Sequence, residues 1–204
     1  MKNLRNTFAL ITAMVFVQLS FAQITGSDHD FSSETWNSSG EICIVCHTPH
    51  NSTVVAGAPL WNHSTTSTTF TLYSSGTMDA TLGQPTASSK LCLSCHDGTV
   101  AVDNFGGTTT GTDFITGSEL VGTSLADDHP ISFTYDATLA TTDGGLHNPS
   151  TQSSGLGGTI ATDLLISNQV ECASCHDVHN AANINYLLVK SNSGSALCLT
   201  CHNL

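Results

Sequence analysis

The sequence predicts a mostly irregular, loop-dominated fold with few short helices, and three observations carry that prediction. Asn, Ser, Thr and Gly fill long stretches such as "HSTTSTTFTLYSSGT" and "FGGTTTGTDFITG", which cannot build a thick apolar core by themselves. Five prolines, Pro49, Pro59, Pro85, Pro130 and Pro149, break the chain into loops. All eight cysteines fall in four copies of one short pattern, two residues between cysteines and a histidine directly after the second. The chain of 204 residues is long enough for one domain or two small ones. Something other than its own aliphatic side chains must hold it together.

The chain opens with an expected export leader, 1–22. Lys2 and Arg5 supply positive charge, Phe8 to Leu19 is mostly apolar, and "SFA" places small residues at Ser20 and Ala22, so cleavage is expected before Gln23. The apolar run falls short of the roughly 20 residues needed to cross a bilayer, and no later stretch is a candidate span. Removal of the leader leaves two basic residues, Lys90 and Lys190, against sixteen acidic ones, a formal charge of −14. That balance excludes nucleic acid as a partner, whose binding needs clustered Lys or Arg. It also argues against docking on anionic lipid.

The cysteines are Cys43, Cys46, Cys92, Cys95, Cys172, Cys175, Cys198 and Cys201. A disulfide scaffold suits an exported chain but does not require a histidine after every second cysteine. Zinc would use the thiolates and leave too many histidines over. A thioredoxin-like pair needs one CxxC on a well-made α/β fold, not four on a Gly/Thr-rich chain. Covalent c-type haem explains the order: each cysteine pair bonds one porphyrin and the adjacent histidine reaches its iron. Four attached haems are expected, with His47, His96, His176 and His202 as proximal ligands. Four large apolar macrocycles would also supply the missing core.

Six histidines remain: His29, His50, His63, His129, His147 and His179. Low-spin electron-transfer haems need a sixth ligand, usually His or Met. Met78 is the sole methionine after the leader, so histidine must cap at least three haems. An internal repeat narrows the choice, because each half holds a free histidine, a CxxCHxxH and a plain CxxCH. His29, His50, His129 and His179 are the expected distal ligands, and His63 and His147 are spares. A histidine three residues past a proximal one does not reach the far face of the same iron, so His50 and His179 are expected on a neighbouring haem. His29, close to the cleavage site, is placed to reach a haem of the next subunit. Two diheme modules follow, 23–115 and 116–204. Their loops differ: 49 residues separate the motifs of the first and 26 those of the second.

Local structure is expected to be sparse. The motifs should occupy single helical turns. Gly158–Asn168 is a candidate short helix, and Ala182–Lys190 a strand or hairpin arm. Trp61, Phe105, Phe114, Phe133 and Tyr135 are expected to pack against porphyrins or one another rather than relay electrons.

"CIVCHTPHN" with "PLWNH", "SSKLCLSCHDGTVAV", "DDHPISF" and "SGSALCLTCH" resemble the bacterial multihaem cytochromes c with doubled CxxCH motifs, often labelled cytochrome c3-like. The resemblance implies a multihaem cytochrome c fold organised around covalently bound haems. It also implies bis-histidine ligation and electron transfer in the periplasm or at the outer surface. His29, His50, His129 and His179 match that family's distal histidines, and its "PLWNH" often carries arginine where this chain has His63. Some tetrahaem relatives polymerise into extracellular filaments with an axial histidine donated between subunits, so a homo-oligomer or filament is implied as well as redox protein partners. No catalytic residue is expected. The alternative is a multihaem reductase with one open haem site.

Overall fold

The computed structural model describes residues 23–203, and the leader expected at 1–22 lies outside the described residues. Loops dominate. The described helices are α1 (Ala87–His96), α2 (Ala137–Asp143), α3 (Ile160–Asp163) and α4 (Cys198–Cys201). Two small antiparallel hairpins accompany them: β1 (Thr53–Val55) with β2 (Ala58–Trp61), and β3 (Phe133–Thr134) with β4 (Gln169–Val170). Single 3-10 turns at Cys43–Val45 and Cys172–Ser174 carry the first and third cysteine motifs.

Each helix has a local reason to exist. In α1, Ala, Leu and Lys are good helix formers, and Leu91 and Leu93 are buried. It stops at Gly98, whose φ of +73° supplies the left-handed residue that ends the helix. Helix α2 begins where the Asp136 carboxylate accepts from Leu139 N at 2.9 Å and ends at Gly144, φ +73°. Helix α3 is capped by Thr159 Oγ1, which accepts from Thr162 N at 3.3 Å.

The apolar core is thin and split. One cluster joins Phe133, Tyr135, Ala140, Ile160, Leu164, Leu165 and Val170, and a second holds Phe70, Leu93 and Leu125. Contacts run between the two halves of the chain. Cys172 N donates to Ser89 Oγ at 2.9 Å, and Gln23 N donates to His179 O at 2.8 Å.

Three expectations are corrected. The helix expected over Gly158–Asn168 is confined to Ile160–Asp163, because Ser167 and Asn168 adopt left-handed φ values of 53° and 65° that turn the chain into β4. The arm at Ala182–Lys190 is a 3-10 turn at Asn185–Leu187 followed by one bridge from Leu188 to His176, not a strand. The second motif sits in the ten-residue α1 rather than on a single turn.

Candidate functional site

In three of the motifs, one turn of backbone closes from the histidine to the first cysteine. His47 N donates to Cys43 O at 2.8 Å, His176 N to Cys172 O at 3.0 Å and His202 N to Cys198 O at 3.0 Å. The second motif, Cys92–His96, lies in the last turns of α1.

Backbone carbonyls orient the rings. His47 Nδ1 donates to Pro59 O at 2.8 Å, His96 Nδ1 to Glu119 O at 2.7 Å and His176 Nδ1 to Tyr186 O at 2.9 Å. A carbonyl only accepts, so Nδ1 carries the proton and Nε2 keeps its lone pair. That is the arrangement a metal-binding imidazole needs, with the non-ligating nitrogen tied to an acceptor. His129 Nδ1 donates to Pro130 O at 2.8 Å in the same way.

A repeated device surrounds the first and third motifs. Thr48 N donates to Leu60 O at 2.9 Å, as Asp177 N does to Leu187 O at 2.7 Å. Asn62 N donates to Cys46 O at 2.9 Å, as Val189 N does to Cys175 O at 3.0 Å. Leu60 and Leu187 both take φ 55°, and His47 bridges Trp61 as His176 bridges Leu188. The repeat legible in the sequence is therefore also a repeat of backbone geometry, and it makes His50 the counterpart of His179.

Histidine rings meet in pairs. His29 lies 6.0 Å from His96 between ring centres, His179 lies 6.3 Å from His47, and His129 lies 6.3 Å from His202. Two metal–imidazole bonds of about 2.0 Å each, with about 1.1 Å from nitrogen to ring centre, require a separation of roughly 6.2 Å across one iron. The spacing fits haem iron held between two imidazoles. Burial, then the neighbouring His96, lowers the His29 pKa to about 4, and burial with His129 lowers that of His202. Both effects favour the neutral imidazole that ligates iron. The buried Nδ1 of His29 has no hydrogen-bond partner.

No disulfide joins any of the eight cysteines. Burial raises Cys46 to about 11, Cys95 to about 12 and Cys201 to about 11. A hydrogen bond with the Cys172 thiol, together with burial, raises Cys92 well above the usual range. Zinc requires deprotonated thiolates in a tetrahedral set. Among the described residues no group of three or more His, Cys, Asp or Glu is gathered to hold a metal ion.

The remaining histidines differ in kind. His50 is exposed on its loop, where its carbonyl accepts from Thr48 Oγ1 at 2.9 Å. His63 is buried, with Nδ1 2.7 Å from Ser64 O and Nε2 3.0 Å from Ala101 O. Both its nitrogens face carbonyls, so neither is free for iron. His147 contributes backbone, donating from N to Cys201 O at 2.8 Å and accepting from the Tyr135 hydroxyl. His29, whose place near the cleavage site put a haem of the next subunit within reach, packs against His96 of its own chain.

Of the aromatics, Trp61 stands edge-on to His47, Phe105 meets Trp36, and Phe133 and Tyr135 lie in the larger core cluster. Phe114 departs from the expected packing and is 46% exposed. The carbonyls of Pro59, Glu119 and Tyr186 were not readable in advance, since a main-chain acceptor leaves no trace in residue type. Glu171 was readable only as the residue before a motif.

The doubled CXXCH motif family matches residues 166–203, which hold the third and fourth motifs. Among curated proteins, none matches the chain. The doubled motif marks a multihaem c-type cytochrome-like protein, with covalently bound haem and the role of an electron carrier. No described helix is long and apolar enough to cross a membrane.

Proposed function

We propose that the chain is a tetrahaem c-type cytochrome that passes electrons from haem to haem. Cys43 and Cys46, Cys92 and Cys95, Cys172 and Cys175, and Cys198 and Cys201 would each tether one macrocycle. His47, His96, His176 and His202 are the proximal ligands. His179 caps the first haem, His29 the second and His129 the fourth. His50, the counterpart of His179 in the repeat, caps the third. The observation that carries this reading is the ring-to-ring spacing of 6.0–6.3 Å in three histidine pairs.

Haem supplies reversible one-electron transfer between ferric and ferrous iron. The chain's own residues would do the rest. Carbonyls of Pro59, Glu119 and Tyr186 hold three proximal imidazoles in the ligating tautomer. Paired imidazoles close both axial faces, which disfavours substrate chemistry at iron. Cys172 N donates to Ser89 Oγ of the helix that carries the second motif at 2.9 Å, which would set the second and third haems side by side. The carrier would work after export, in the periplasm or at the outer surface, with redox protein partners.

His50 is exposed beside the hairpin bearing Val54 and Leu60, which are 99% and 51% exposed. A ligand so placed is also available to a second copy, which supports a homo-oligomer or filament. Electron paramagnetic resonance of the oxidised, exported protein tests the reading. Four low-spin ferric centres are expected. A stoichiometric high-spin centre would favour the reductase alternative, with the third haem as the open site.

A further inference from the structure

Glu171 is 1% exposed and immediately precedes Cys172. Its carboxylate accepts from Thr86 Oγ1 at 3.1 Å, from Ser132 Oγ at 2.9 Å and from Ser89 N at 3.3 Å. All three donors are neutral. The ion pair found among the described residues is His179 with Asp177, at 3.7 Å, and none involves Glu171. Lys190 is engaged elsewhere, donating from Nζ to Ser154 O at 2.6 Å and to Thr200 Oγ1 at 3.0 Å.

The network is built between two attachment sites. Thr86 and Ser89 sit at the start of α1, which carries Cys92, Cys95 and His96. Ser89 Oγ accepts from Cys172 N at 2.9 Å, and Ser132 Oγ accepts from Thr86 N at 3.1 Å. A carboxylate buried without a cation is costly, and neutral donors offset that cost in part. The iron–porphyrin core of a ferric haem, its two propionates aside, carries one positive charge, which is lost on reduction. With no lysine paired to Glu171 among the described residues, the ferric iron centres of the second and third haems are the positive charges that a mature protein would bring near it.

We propose that Glu171 is the anion of the junction between the second and third haems, lowering the reduction potentials of both while tying their attachment sites together. It acts through charge and position, without ligating iron. The proposal rests on the tetrahaem reading. A buried negative charge beside an iron centre favours its ferric state over the ferrous one, and burial limits screening by salt.

The test is spectroelectrochemistry on exported holoprotein, with haem content measured first by pyridine haemochrome assay. Glu171→Gln removes the charge and keeps the shape. The expected result is unchanged haem content with a several-fold rise in the ferrous-to-ferric ratio, at fixed applied potential, for two of the four haems. Ser132→Ala keeps the charge and removes one hydrogen bond, so it is expected to lower melting temperature without that rise. Fully loaded Glu171→Gln with wild-type potentials would overturn the proposal, as would an equal shift in Ser132→Ala. Wild-type protein lacking four haems would instead refute the reading beneath it. If Glu171→Gln fails to mature, redox-difference infrared spectra of wild type and Glu171→Asp decide the matter. An ionised carboxylate band that moves in Glu171→Asp supports the proposal, and a protonated carboxyl band moving in its place overturns it.

Discussion

His179 lies opposite His47, ring centres 6.3 Å apart and planes within 12° of parallel. The two come from opposite halves of the chain, and each follows a cysteine pair on a single 3-10 turn. The pair therefore joins the halves at a point where no aliphatic core does.

Breaking that pair should open one iron. His179→Ala is expected to convert one of four centres from low to high spin and to create one site for carbon monoxide on the reduced protein. Ferric paramagnetic spectra and carbon monoxide titration measure both. Retention of four low-spin centres would remove His179 as a ligand.

His63 should behave in the opposite way. Its ring nitrogens lie on the carbonyls of Ser64, Ala101 and Val102. His63→Ala strands buried acceptors, each costing about 1–3 kcal/mol. Denaturant unfolding should show a loss of that order, while the spectrum stays low-spin at all four sites. A new high-spin centre would make His63 a ligand.

Acid should loosen the second site first. Burial depresses the folded-state His29 pKa to about 4 from the ordinary 6.5. The unfolded chain thus binds more protons between those values, and stability falls as pH drops through that window. The loss approaches about 3 kcal/mol once His29 is protonated in both states. His202 shifts in the same direction. Melting temperature followed from pH 7 to pH 4 should fall, and more shallowly in His29→Ala. Equal slopes would contradict the assignment.

Gly98 ends α1 with φ +73°, and a Cβ there would meet Leu120 Cδ1 at 2.7 Å. Gly98→Ala is expected to cost about 1 kcal/mol or more, lowering the melting temperature by about 2–4 °C. Adding Leu120→Ala should recover only the steric part, because the backbone strain remains. Full recovery by the double variant would show that the φ angle costs little.

What the sequence made legible was chemistry carried by residue type and spacing. Four CxxCH units, the poverty of core and the duplicated order of histidines needed no coordinates. Helix α2, capped by Asp136 and Gly144, has no apolar period that sets it apart from the surrounding Ser and Thr. The β1–β2 hairpin was missed because its alternation spans only a few residues around Gly57. Pairing of particular histidines depends on long-range closure, such as His29 reaching His96, which no local pattern encodes. Main-chain acceptors at Pro59, Glu119 and Tyr186 leave no signal in side-chain identity, and Glu171 gains its meaning only when Thr86, Ser89 and Ser132 fold onto it.

Covalent attachment at four sites is the claim on which the rest depends. Intact-mass measurement of the exported protein tests it directly. The account predicts the mature polypeptide plus four increments of about 616 Da, the mass of one haem each. A mass equal to the bare polypeptide, or one carrying fewer than four increments, would contradict it.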